Sequence, residues 1–154
     1  MIRPGWLALC LAPLCALEAA TRALPMGDAA RGESLFPLQF AAHDINNTLF
    51  STADRQGRVV LVNFFATWCQ ICQKEMRPLE QMYRSLHSRG FDIVMVSNEA
   101  EGHVRTFAEN YKVPFPLIAN GQEIMDQVKT LAAFPTAVLL DKEGHARYLI
   151  VGAD

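Results

Sequence analysis

Apolar positions change their period several times along the chain, and each change predicts an element. Arg58 to Phe65 (RVVLVNFF) is nearly continuous in β-branched and aromatic residues, the pattern of a strand covered on both faces. It is the predicted central strand. From Gln70 to Ser88, Met76, Leu79, Met82, Tyr83 and Leu86 recur at spacings of three and four, which lays one apolar stripe along a helix that Gly90 ends. Phe91 to Val96 then predicts a second buried strand, Val104 to Tyr111 a helix, Phe115 to Ala119 a strand and Glu123 to Val128 a short helix. Thr136 to Leu140 and His145 to Val151 flank Asp141-Lys142-Glu143-Gly144, which predicts a hairpin. Ahead of the central strand, Leu35 to Phe40 and Thr48 to Phe50 are short apolar runs around His43, Asp44, Asn46 and Asn47, as in an opening pair of strands with a polar turn. Strands alternating with helices predict an α/β domain whose sheet is mostly parallel and lies between helices.

The amino end follows a different pattern. Arg3 supplies a small positive start and Trp6 to Leu17 is almost wholly apolar, the outline of a signal segment over residues 1–20. Spanning a bilayer takes about 20 apolar residues, and Glu18 interrupts this run well before that. Cleavage near Ala19, Ala20 and Ala23 is the leading expectation, with an uncleaved anchor or lipidation at Cys10 or Cys15 as alternatives. Residues 21–34 are rich in small, Gly and charged residues without an apolar period, which predicts a linker, and residues 35–154 form one domain.

Charge narrows the partners. Sixteen acidic against fourteen basic residues, with no basic stripe, make nucleic acid a poor partner. Cysteine usage narrows the chemistry further. With Cys10 and Cys15 in the signal segment, the mature domain keeps Cys69 and Cys72, too few for a disulfide framework. His43, His87, His103 and His145 are scattered singly, so a four-ligand zinc site has no support in their spacing.

A buried strand that runs directly into Trp68-Cys69-Gln70-Ile71-Cys72 at the head of a helix is far more specific than a C-x-x-C alone. Unpaired N–H groups and the helix dipole at that position stabilise a thiolate, lowering a cysteine pKa from about 8.5 to about 3.5–7.5. An exposed Cys69 would then attack a disulfide, and Cys72, facing inward one turn on, would resolve the mixed disulfide. An inert local disulfide is the competing structural explanation.

Three separated segments resemble the thioredoxin superfamily, and within it the exported TlpA/ResA-like proteins: Val59 to Cys72 (VVLVNFFATWCQIC), Glu75-Met76, and Phe134-Pro135-Thr136 followed by Leu139-Leu140-Asp141 and Gly144. The resemblance spans about Leu35 to Gly152. It implies a thioredoxin-like fold with a central mixed sheet flanked by helices, an N-terminal strand extension and a central αβ insertion between Ser97 and Asn120. It also implies a redox disulfide between Cys69 and Cys72, a cis-proline at Pro135, substrate contacts from Trp68, Phe134 and Pro135, and Glu75 moving protons at the second cysteine. An ordinary first-turn acid is the alternative for Glu75. No cofactor is implied. The implied partners are protein disulfide or dithiol substrates, apocytochrome c cysteines among them, and a membrane or periplasmic electron donor, in the periplasm or otherwise exported.

Several positions depart from the family. Gln70-Ile71 lacks the proline usual before the second cysteine, Phe65 replaces a Trp, Asn63 stands where thioredoxin has a buried Asp, and Pro78 lies one residue late. The chain stops at Asp154, where the family normally adds a C-terminal helix over one sheet face; either the sequence is truncated or that face is covered otherwise, and a bare apolar face would be an association risk. Competing functions are a peroxiredoxin-like peroxidase, against which the C-x-x-C counts, a soft-metal module holding Cu(I) on the two cysteines, and a fold kept only for protein contact.

Overall fold

The computed structural model describes residues 35–152 apart from Thr130 and Ala132, so the expectations for the signal segment and for residues 21–34 lie outside the described residues. The strands are β1 (Ala41–His43), β2 (Leu49–Ser51), β3 (Val59–Phe64), β4 (Phe91–Val96), β5 (Leu117–Ile118), β6 (Thr136–Leu140) and β7 (Ala146–Val151). The helices are α1 (Gln70–Leu86), α2 (Glu101–Tyr111) and α3 (Gln122–Met125). β1 and β2 pair with each other, and the remaining strands form one sheet in the order β5-β4-β3-β6-β7.

β3 is central, as its nearly continuous apolar run predicts. Val60, Val62 and Phe64 face one core with Leu38, Phe50, Val94, Val96, Ile124 and Val138. Leu61 and Phe65 face the other, with Met76 and Leu79 of α1 and Val104 and Phe107 of α2. Met82 departs from the predicted stripe and is exposed, while Met76 and Leu79 are buried. Pro78 sits inside α1 without ending it.

The sheet is more evenly mixed than alternation alone predicts. β3 runs parallel to β4, and β4 to β5, whereas β3–β6 and β6–β7 are antiparallel. The β6–β7 reversal is local in origin: the turn between them is a hairpin closed by Asp141, whose carboxylate accepts the Glu143 and His145 N–H groups at 3.0 and 2.8 Å.

The opening strands also require correction. The first pairs at Ala41–His43 rather than at Leu35 to Phe40, and the second at Leu49–Ser51. The earlier run is apolar because it packs as extended chain against the core, with Leu38 buried and Phe36 and Phe40 half-buried beside it. The polar turn forms as the pattern indicates: Asp44 accepts the N–H groups of Asn46 and Thr48, both at 2.9 Å, and Asn47 takes a positive φ of 59°. β7 is the outer strand and the last element of the described residues, with Tyr148, Ile150 and Val151 exposed.

Candidate functional site

The carboxyl ends of the parallel strands carry the candidate chemistry, as is general for open α/β sheets. β3 leads into Phe65-Ala66-Thr67-Trp68, and Cys69 is the N-cap of α1, with extended backbone angles of −76° and 107°. Its sulfur accepts the Cys72 N–H at 3.2 Å, one of the donors that a helix start leaves without an intrahelical partner. Cys69 and Cys72 are joined as a disulfide with their Cα atoms 5.2 Å apart. Cys72 is fully buried.

Cys69 is less open than its place at a helix head suggests, with 7% of its surface exposed. It packs into the same cluster as Phe65, Met76 and the half-buried Phe134. Trp68 and Ile71, by contrast, are 70% and 47% exposed. The loop before β6 holds Phe134 and Pro135 across a cis peptide bond. The Phe134 ring meets Trp68 edge-on, with centroids 6.3 Å apart. Trp68 and Phe134, distant in sequence, thus form one aromatic rim, and Pro135 itself is buried. The Pro135 carbonyl accepts the Gly152 N–H at 2.8 Å, so this loop is tied to the end of β7.

Glu75 lies three residues after Cys72 and so on the same side of α1. Burial holds its carboxyl above the ordinary range, and hydrogen bonding with Asn63 offsets part of that rise. Asn63 sits on β3, itself buried, opposite Ala137 of β6. Glu75 Oε2 and Asn63 Oδ1 are both buried without a hydrogen-bond partner.

Sequence reasoning missed the support beneath the loop. The Thr67 N–H and hydroxyl both donate to the Glu99 carboxylate, at 2.6 and 2.7 Å, and Gln73 Nε2 of α1 donates to the Thr67 carbonyl at 2.8 Å. One signal was available: Glu99 follows β4, whose carboxyl end lies beside that of β3 in a parallel pair.

Among the described residues, Asp141, Glu143 and His145 bring metal-ligand atoms within 4.8 Å of one another. The Asp141 oxygens there already accept two backbone N–H groups and Arg147, so the cluster is explained as a turn cap.

Residues 35–149 match the AhpC/TSA family. The chain is 29% identical over 114 residues to the thiol-disulfide oxidoreductase ResA of Geobacillus thermodenitrificans (strain NG80-2), across 73% of this chain and 66% of that protein. It is 32% identical over 109 residues to ResA of Bacillus thuringiensis subsp. konkukian (strain 97-27), across 68% and 61% respectively. It thus spans slightly less than two thirds of the length of these curated relatives. A thiol:disulfide interchange protein of the thioredoxin family from Chlorobium tepidum TLS superposes with a TM-score of 0.73 at 26% identity, across 81% of this chain and 90% of that one.

Proposed function

The chain belongs to the AhpC/TSA family, within the thioredoxin superfamily, and from that premise we propose that it is a thiol-disulfide oxidoreductase that reduces protein disulfides outside the cytoplasm. The observation that carries the reading is the Cys69–Cys72 disulfide at the head of α1, with Cys69 as N-cap and Cys72 buried behind it.

In the reduced protein the Cys69 thiolate attacks one sulfur of a substrate disulfide. A mixed disulfide forms and the other substrate sulfur leaves as a thiolate, which takes a proton. Cys72 then gives its proton to Glu75 and attacks the Cys69 sulfur. The second substrate sulfur departs, and two electrons have passed from the protein to the substrate. An external dithiol donor, in the membrane or the periplasm, restores the pair. The Trp68 and Phe134 rim meets the polypeptide flanking the target cysteines, and the loop at Pro135 offers it backbone hydrogen bonds.

Cytochrome c maturation, with apocytochrome cysteines as substrate, is the role we assign within this class, by likeness to TlpA/ResA-like proteins. Residues 1–20 act as the export signal or as a tether. Among the described residues no helix is long and apolar enough to cross a membrane. The peroxidase alternative gains nothing from Thr67, whose hydroxyl is committed to Glu99.

The test is the reduction potential of the Cys69/Cys72 pair, obtained by equilibrating the protein in graded thiol/disulfide buffers and counting free thiols. A value near about −270 mV supports a reductase, and one near about −120 mV would make the protein an oxidant. Absence of a reversible two-electron couple would sink the redox reading and favour Cu(I) binding or a contact-only role.

A further inference from the structure

The Thr67–Glu99 contact joins two loops that sequence keeps far apart. Thr67 stands two residues before Cys69, and its backbone and side chain are held from both sides: N–H and hydroxyl by Glu99, carbonyl by Gln73. Glu99 is itself anchored. Its N–H donates to Ser97 Oγ at 3.1 Å, and that hydroxyl donates back to Glu99 Oε2 at 3.1 Å. Ser97 is fully buried, and its carbonyl accepts the Gly121 N–H at 2.8 Å. The Glu99 carbonyl accepts the Asn120 N–H at 2.9 Å. The chain after β4 is therefore a rigid bracket whose free end is a carboxylate.

We propose that Glu99 is a positioning residue for the redox site, fixing Thr67 and through it the placement of Trp68 and the reactivity of Cys69. Both Glu99 oxygens accept from Thr67, one from each of its donors, so the loop has one seating that satisfies all of these groups. The carboxylate also places negative charge beside the segment that leads to the nucleophile, which opposes thiolate formation there. Among the described residues the titratable group paired with Glu99 is His103 of α2, whose Nδ1 lies 4.0 Å away and whose side chain is largely exposed. Cys72 and Glu75 come from α1, whose Gln73 holds the Thr67 carbonyl.

The inference rests on Cys69 being the nucleophile. It is tested on the reduced full chain by following iodoacetamide alkylation of Cys69 against pH, with peptide mapping to separate it from the other cysteines, and by insulin reduction kinetics. Glu99→Gln keeps an acceptor for the Thr67 N–H and removes the charge, so the alkylation midpoint should fall by about half a pH unit or more. Glu99→Ala removes the bracket, and kcat for insulin should fall about tenfold through misplacement of the loop, with KM little changed and most of the loss restored in Glu99→Gln. Should Glu99→Ala fail to fold, Thr67→Val, which loses only the hydroxyl contact, takes its place with a smaller loss in kcat. An alkylation profile in Glu99→Gln that overlays the parent's, with kcat unchanged in the variants lacking the contact, would overturn the proposal. Failure of the oxidoreductase reading looks different: the parent protein would not reduce insulin at all, while the alkylation midpoints could still be compared.

Discussion

Asn63 of β3 and Glu75 of α1 interact through their side chains, and each keeps one buried oxygen without a donor. Burial raises the Glu75 value in the folded state above that of the unfolded chain, so the folded state holds the proton longer. The resulting stabilisation is whole below the unfolded value and is lost as pH rises through the folded one. Unfolding free energy of the oxidised protein should decline across that window, and Glu75→Gln, which carries no titratable proton, should flatten the decline. Urea titrations over a pH series measure both slopes. In catalysis the same substitution should slow resolution by Cys72 on the order of 10²-fold, read as accumulated mixed disulfide.

On the proposed mechanism the two cysteines have separable roles. Cys69→Ser should abolish attack on a substrate disulfide, whereas Cys72→Ser should still attack and then retain the substrate covalently. Non-reducing electrophoresis after mixing with a protein disulfide distinguishes them, and full activity in Cys69→Ser would reverse the assignment.

At the opposite end of β3, Asp92 is buried among Arg58, His87 and Arg55, with contacts of 2.6, 2.9 and 3.4 Å. Asp92→Ala leaves two arginines and His87 without their shared partner and should cost about 3 kcal/mol in denaturant unfolding. Alkylation of Cys69 in the folded variant should be unchanged, because the length of β3 separates the two clusters.

Gly121 follows β5 where its backbone closes on β4. A Cβ there would stand 2.4 Å from Val96 Cγ1 and 3.3 Å from the Ser97 carbonyl oxygen. Gly121→Ala should therefore destabilise by about 1–3 kcal/mol, again measured by denaturant titration. Because Ser97 anchors Glu99, the substitution should also lower disulfide-exchange activity.

How far the fold is legible in sequence depends on whether a residue's neighbours are local. β3 and α1 are readable because a strand buried on both faces and a helix with one buried stripe leave distinct periods, and the C-x-x-C falls at their junction. Leu35 to Phe40 misleads because an extended segment lying on the core is as apolar as a paired strand. The low exposure of Cys69 is invisible for a related reason: it belongs to a buried cluster assembled from distant parts of the chain, Ile93 of β4, Phe107 of α2 and Leu117 of β5 among them. Glu99 carries no local mark at all. Its importance arises only when the parallel pairing of β3 and β4 brings the two following loops together.

The described chain enters beside Ala146, whose carbonyl accepts the Leu35 N–H at 2.9 Å. Ala146 pairs with Leu140, and Leu140 with Val60 at the start of β3. Cys69 lies beyond the other end of that strand, roughly 15–20 Å away at about 3.3 Å per residue. The domain is therefore polarised like a probe on a handle: a protein held by residues ahead of Leu35 would turn its disulfide away from the point of attachment, toward partners approaching from the far side.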